Sequence, residues 1–208
     1  GLVVVPMLYL LTDAFAKKLC AFAQNGGTVI VTYWSGVVDE SDLCRLGDTP
    51  YGLTELLGLR RTEIDGMYDG ESRSCMPVAG CTLPAAQAST LCEVAALDEE
   101  NPAEPLSLYD EDYFAGHPAA AVHRYGKGRA YYLASRFDEA FYRAFYHDAA
   151  KEIGLSPAWP ETLPEGVLAV RRGSFVFVQN CTEQPVTAGN TVLDRYRTAV
   201  WKDMDRIF

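Results

Sequence analysis

No apolar run in this chain approaches the roughly 20 residues needed to cross a bilayer. The longest stretches, Leu2–Leu11 and Thr28–Trp34, fall far short of it, so no transmembrane helix is expected. Leu2–Leu11 also lacks the basic flank before it and the small-residue cleavage site after it that a signal peptide carries, and it reads as a buried strand. Basic residues are scarce: 18 Lys plus Arg stand against 28 Asp plus Glu, a net charge of −10. Such a surface repels a phosphate backbone and argues against nucleic acid as a partner. The six cysteines, Cys20, Cys44, Cys75, Cys81, Cys92 and Cys181, include no C-x-x-C pair, and no histidines stand at metal-ligand spacing. This pattern argues against a zinc site. A chain of 208 residues with 49% hydrophobic content does not need disulfides, so reduced thiols and a cytoplasmic location are expected.

Glycine motifs with a nucleotide-binding placement are missing too. Gly26-Gly27 falls at the end of a helical segment, the wrong side for a phosphate cradle, and Gly126-Lys127-Gly128 joins two strands and opens no helix. No cofactor site is supported. Tyr33-Trp34-Ser35-Gly36-Val37 occupies a strand-end position where some α/β folds place a nucleophile, but the glycine two residues before the serine is absent and no cysteine replaces it. His117, His123 and His147 read as structural or surface residues. Asp98-Glu99-Glu100 and Asp110-Glu111-Asp112 are adjacent acids in loops, where a glycosidic bond instead needs two carboxylates from separate elements facing across a sugar. They read as solvated or capping groups. Asp39, Glu40 and Asp42, set between Trp34 and Leu43, are the acidic cluster that invites a functional reading.

What is present gives a definite pattern. Leu2–Val5 is a continuous apolar strand, Thr12 an N-cap, and Phe15, Leu19, Phe22 and Ala23 recur at helical spacing before Gly26-Gly27. Thr28–Thr32 is a second continuous apolar strand, so the opening reads as a βαβ unit. From it we expect an α/β fold with a doubly wound, mostly parallel sheet. Tyr51–Leu59 reads as a short helix stopped at Gly58, and Arg60–Ile64 as another strand. Residues 65–88 are weakly patterned. Leu91–Leu97, Pro105–Tyr109, Ala119–Tyr125 and Ala130–Ala134 read as short strands, the last two joined by a glycine turn. Phe141, Phe145, Ala149 and Ile153 mark a closing helix ended by Gly154. Three prolines in Ser156–Pro164 suit a semi-rigid linker, after which Val167–Arg171, Phe175–Gln179 and Val186-Thr187 begin a small antiparallel β-domain.

Val4–Leu11, Gly26–Thr32 and the run Ser35-Gly36-Val37-Val38-Asp39-Glu40-Ser41-Asp42 together resemble the trimerisation domain of glycoside hydrolase family 42 β-galactosidases. The resemblance continues through Pro50–Gly58, Gly116–Ala119 and Arg124–Tyr132, and weakly over Val170–Thr182, the start of that family's C-terminal β-domain. It implies a class I glutamine amidotransferase-like (flavodoxin-like) fold without its own active site over residues 1–155, a linker over 156–164 and the C-terminal β-domain over 165–208. It implies as partners the enzyme's own catalytic barrel and the neighbouring subunits of a homotrimer. The family's catalytic glutamates lie on a (β/α)8 barrel, one of them after an asparagine, and this chain has no Asn-Glu dipeptide. No catalytic, cofactor or metal residue is therefore carried over. Gly1, followed at once by a core strand without an initiator methionine, is expected to mark a domain border. Leu193–Phe208 departs from the family's pattern in not showing the apolar strand expected to complete the β-domain.

The segment Tyr33–Leu43 leaves the carboxyl edge of a buried strand, so Tyr33, Trp34, Ser35, Asp39, Glu40 and Asp42 are the expected interface residues. Two alternatives stand beside that reading: Trp34 folds back under its own loop, or Tyr33, Trp34 and Asp39 form a stacking platform for a sugar or other ligand.

Overall fold

The structure, a computed structural model, describes residues 1–202. It divides into two compact units, Gly1–Ile153 and Gly154–Phe208.

The N-terminal unit opens with β1 (Leu2–Val5), α1 (Asp13–Gln24) and β2 (Thr28–Thr32). Thr12 caps α1 by accepting the Phe15 amide at 3.3 Å, and Asn25 closes it by donating its side-chain amide to Ala21 O at 2.8 Å. The buried face of α1 is Ala16, Leu19 and Ala23. There follow α2 (Thr54–Leu57), β3 (Leu59–Gly66), β4 (Arg73–Pro77), β5 (Ala86–Leu97), β6 (Glu104–Tyr109), β7 (Pro118–Tyr125), β8 (Gly128–Leu133), β9 (Ser135–Arg136) and α3 (Glu139–Glu152). Gly58 ends α2 at a φ of 61°, a left-handed cap that glycine adopts without a Cβ penalty.

The strands form one sheet in the order β1-β2-β8-β7-β6-β4-β5-β3, with β9 against β5. This overturns the expected doubly wound, flavodoxin-like or glutamine amidotransferase-like α/β fold. The β1–β2 and β2–β8 pairs are parallel. The pairs β8–β7, β7–β6, β6–β4, β4–β5, β5–β3 and β5–β9 are all antiparallel. One βαβ unit at the start was extended to a whole sheet, whereas the middle of the chain has no crossover helices to link parallel strands. A mostly β, mixed sheet is the result.

The sheet is covered on both faces at its parallel end. On one side Val29 and Val31 of β2 and Ala130 and Tyr132 of β8 pack with Leu19 and Ala23 of α1 and Leu56 and Leu57 of α2. On the other, Ile30, Tyr131 and Leu133 pack with Phe141, Phe145 and Ala149 of α3. The Asp138 carboxylate caps α3 by accepting the Phe141 amide at 3.0 Å. The aromatic rings there are ordered, with Phe137 and Phe141 centroids 4.2 Å apart and Tyr131 edge-on to Phe145 at 5.2 Å.

The cysteines are all free; Cys75 and Cys92 are buried, and Cys44 and Cys181 are exposed. Burial pushes the Cys75 thiol up to about 12 and the Cys92 thiol to about 11. Thiolate is the reacting species. Titration with a disulfide reagent at pH 8 should therefore label Cys44 and Cys181 quickly, leave Cys75 and Cys92 untouched until denaturant is added, and then count six thiols. A denatured count of four or two would overturn this assignment.

The C-terminal unit comprises β10 (Val167–Arg172), β11 (Phe175–Asn180), β12 (Val186–Ala188), β13 (Thr191–Leu193) and β14 (Thr198–Lys202). The sheet runs β10-β11-β14, all antiparallel, beside a β12–β13 hairpin. Thr198–Lys202 is thus a paired strand within Leu193–Phe208, the segment in which no apolar strand was legible; residues 203–208 lie outside the described residues. Trp159, from the proline-rich stretch, is buried in this unit's core with Val176, Val178 and Leu193, edge-on to Trp201 at 5.0 Å. Asn180 is fully buried. Its amide donates to Gln184 O at 2.8 Å and to Leu193 O and Asp194 O at 3.1 Å, and its carbonyl accepts the amide and hydroxyl of Thr182, both at 2.8 Å.

Candidate functional site

The segment after β2 is a braided loop. Trp34 and Gly36 take left-handed φ values of 60° and 62°, reversing the chain twice within three residues. Gly36 is required there, because a Cβ would meet the Tyr51 amide nitrogen at 2.9 Å on top of the unfavourable φ. The loop then pairs with the segment leaving β1: Gly36 donates to Leu8 O at 2.9 Å, Val37 to Tyr9 O at 3.0 Å, and Leu11 to Val38 O at 3.1 Å. Ser35 Oγ accepts the Leu8 amide at 3.0 Å, and Thr32 Oγ1 accepts the Met7 amide at 2.8 Å. The loop returns through Leu43 O, which accepts the Asp39 amide at 2.9 Å, and through Arg45, whose amide reaches Val37 O at 3.0 Å.

The six expected residues divide between inside and outside. Tyr33 and Ser35 are buried, and they shape the loop from beneath; Ser35 Oγ is engaged as acceptor of the Leu8 amide. Trp34 is half-buried, with its ring stacked on Tyr9 at 5.9 Å and 15°. Asp39 turns its carboxylate inward to accept the amides of Ser41 at 2.8 Å and Leu43 at 3.1 Å. Those bonds, that of Leu43 first, hold its carboxyl below the usual range. Glu40 and Asp42 are exposed, and Glu40 lies 3.6 Å from Arg45. The Arg45 guanidinium bonds Leu11 O at 3.2 Å and Asp13 Oδ1 at 3.0 Å, and rests 4.1 Å above the Tyr51 ring. Around Trp34 the braid leaves Met7, Tyr9, Leu10 and Leu43 exposed, and Leu46 on the return arm is 91% exposed.

Sequence reasoning missed two sets of residues. Met7, Tyr9 and Leu10 belong to a segment read simply as part of a strand. Beneath the loop, Glu93 of β5 is fully buried and accepts from Arg61 Nη1 at 2.7 Å, from the Trp34 amide at 3.0 Å and from the Tyr132 hydroxyl. Arg61 Nη1 also donates to Ser35 O at 3.2 Å. Burial raises the Glu93 carboxyl, against the pull of the guanidinium, the Tyr132 hydroxyl and the Trp34 amide, all of which favour the carboxylate. A lone glutamate inside Leu91–Leu97, an otherwise apolar run, was the visible signal for this cluster.

Nothing else in the unit assembles chemistry. His117 and His123 spend Nδ1 on Ala95 O at 3.0 Å and Leu56 O at 2.9 Å, and His147 is exposed on α3. Asp98 caps its own turn by accepting the amides of Glu100 and Asn101, and Asp112 pairs with Arg73 at 2.9 Å. Among the described residues no three His, Cys, Asp or Glu side chains cluster as metal ligands, and no helix is long and apolar enough to cross a membrane. A cleft of about 560 Å³ beside α1 is lined by Asp13, Lys17, Cys20, Asp48, Tyr51 and Glu55; burial first, and Glu55 beside it, push the Cys20 thiol up and so favour its unreactive protonated form.

Comparison with known proteins identifies the surroundings of this loop. The family described as "Beta-galactosidase trimerisation domain" matches residues 1–156. β-Galactosidase BglY of Alicyclobacillus acidocaldarius is 44% identical over 190 residues, 88% of this chain and 27% of that protein. β-Galactosidase Pbg of Clostridium perfringens is 36% identical over 199 residues, 92% of this chain and 28% of its own length. The crystal structure of a β-galactosidase from Rahnella sp. R3 superposes with a TM-score of 0.86 at 38% identity, covering 96% of this chain and 32% of that one. The chain thus spans under a third of the length of each of these relatives.

Proposed function

We propose that this chain, which belongs to the β-galactosidase trimerisation-domain family, is the non-catalytic assembly region of a β-galactosidase, and that the braided loop around Trp34 is part of its contact surface. The observation that carries this reading is the family match across residues 1–156. In this reading residues 1–155 are the trimerisation domain, 156–164 a linker and 165–208 a C-terminal β-domain. The enzyme of which they are part is a cytoplasmic homotrimer that hydrolyses terminal β-D-galactosides in carbohydrate metabolism on a separate catalytic barrel. The surface supports it: the stacked Tyr9 and Trp34 rings lie on two braided segments that also expose Met7, Leu10, Leu43, Glu40 and Asp42, the mixture of aromatic, apolar and charged groups that a protein contact uses. Trp34, Glu40 and Asp42 serve from the outer side of the loop, and Tyr33, Ser35 and Asp39 through its conformation.

Two measurements test this. Purified residues 1–208 should not turn over a chromogenic β-galactoside, and turnover above a mock-purified control would defeat the reading. The intact enzyme should have a trimer mass by light scattering, and Trp34→Ala should weaken association by about 2 kcal/mol per contact. The same change should barely move the melting temperature of residues 1–208. Early unfolding of that chain with a normal trimer would make Trp34 a core residue instead.

A further inference from the structure

We infer that Glu93 and Arg61 are positioning residues for Trp34, a buried ion pair that holds the indole outward in a left-handed backbone conformation; this rests on the reading of Trp34 as a contact residue.

An ion pair with side chains 0% and 5% exposed has surrendered its hydration, and an apolar pair of similar volume commonly serves stability as well or better. The pair must be doing something besides holding β3 to β5. Its bonds show what. Glu93 Oε1 takes the Trp34 amide at 3.0 Å, and Arg61 Nη1 gives to Ser35 O at 3.2 Å, so the two charges grip the amide before Trp34 and the carbonyl after Ser35. Trp34 lies between those grips with φ at 60°, a region that a bulky non-glycine residue enters only when its surroundings over-determine it.

Return to an extended φ, a rotation about the Trp34 N–Cα bond, would separate the amide held by Glu93 from the carbonyl held by Arg61, so that both grips could not be kept while the ring stays on Tyr9. The clamp therefore selects the backbone state in which the half-buried indole stacks on Tyr9, ring centroids 5.9 Å apart and planes 15° from parallel. Tyr132 bonds Glu93 on Oε2, the oxygen that does not take the Trp34 amide, which makes it the internal control. Loop and clamp come from β2, β3, β5 and β8, so the surface residue is set by the sheet rather than by its own loop.

The test separates positioning from stability. In residues 1–208, the Trp34 fluorescence is isolated as the difference from Trp34→Phe. Arg61→Leu/Glu93→Leu should melt close to the parent chain yet shift the Trp34 emission and raise its iodide quenching. Tyr132→Phe should lower the melting temperature and leave that signal unchanged. Glu93→Gln, which keeps the volume and one acceptor but loses the charge that holds Arg61, should shift the Trp34 emission part of the way and serves if the double variant does not fold. In the intact enzyme the double variant should weaken each subunit contact about 30-fold, with no further loss when Trp34→Ala is added. An unaltered Trp34 signal in both the double variant and Glu93→Gln overturns the inference. A displaced Trp34 signal with unaltered trimer affinity keeps the positioning role and instead removes the contact reading on which it rests.

Discussion

Gly128→Ala should prevent the N-terminal unit from folding stably. A Cβ on Gly128 would lie 2.1 Å from Gly27 O, 2.5 Å from Ala23 O and 3.0 Å from Gly27 N. All three are backbone atoms, so no rotamer change can relieve the overlap. Gly27 O is already the acceptor for the Arg129 amide at 3.2 Å, and β8 is registered to β2 on one side and β7 on the other. Moving Gly128 away would pull Ala130 from Val29 and Tyr132 from Val31, at the centre of the core. Overpacking usually costs about 1–3 kcal/mol, and a clash confined to backbone belongs at or above the top of that range. Against a total of about 5–15 kcal/mol for a typical domain, that is enough to unfold a marginal chain. Urea denaturation of Gly128→Ala beside Gly66→Ala checks it: nothing lies within 4 Å of a Cβ at Gly66, so that control should match the parent. Equal midpoints for all three proteins would sink the prediction.

Arg61→Ala should cost about 3–5 kcal/mol at neutral pH, because it strands the Glu93 carboxylate without water or counter-ion. The pH dependence gives the loss its signature. Burial already raises the Glu93 carboxyl, and removing the guanidinium takes away an influence that lowers it. A carboxyl whose folded pKa exceeds its unfolded value binds more protons in the folded state, so stability increases as pH falls through the folded pKa and levels off near the ordinary glutamate value of about 4.3. The deficit of Arg61→Ala relative to the parent should therefore shrink as pH falls from 8 toward 5. Denaturation of both proteins at each pH measures the difference directly and cancels surface acids common to the two. A deficit that is constant or grows on acidification would show that Glu93 is not the stranded group.

Much of the N-terminal unit was legible because its signals are local. The continuous apolar run Thr28–Thr32 implies cover on both faces, and Val29 and Val31 on one side with Ile30 on the other bear that out. The spacing of Phe141, Phe145 and Ala149 defines the buried face of α3. In α1 the reading was one position off: Phe15 is 40% exposed and Ala16 lies inside. Strand direction was the substantial error. Parallel and antiparallel strands differ in how they are linked, and the absence of helical periodicity between Leu59 and Leu133 was the evidence against a doubly wound sheet. The glycine turn joining β7 to β8 already required an antiparallel pair. Of the candidate surface, the aromatic pair at Tyr33-Trp34 was visible. The inward turn of Tyr33 and Ser35 was not, since it depends on the bond of the Tyr33 amide to Leu133 O of β8 and on those of Ser35 to Leu8 and to Arg61 of β3, tens of residues away.

Asn180 gives the C-terminal unit an ordering principle unlike that of the larger sheet. Its side chain is the meeting point of the end of β11, the turn through Thr182 and Gln184, and the segment after β13. A core with Trp159, Val167, Val176, Val178, Ala188 and Leu193 as its buried members has limited means of choosing among packings by shape. A carboxamide chooses by polarity: its nitrogen faces three carbonyls, its oxygen faces two donors, and any rearrangement that separates them leaves buried groups unmatched. The path of the chain between β11 and β14 is thus encoded as a sequence of donors and acceptors, and a residue of equal volume but reversed polarity would fill the same space while carrying the wrong instruction.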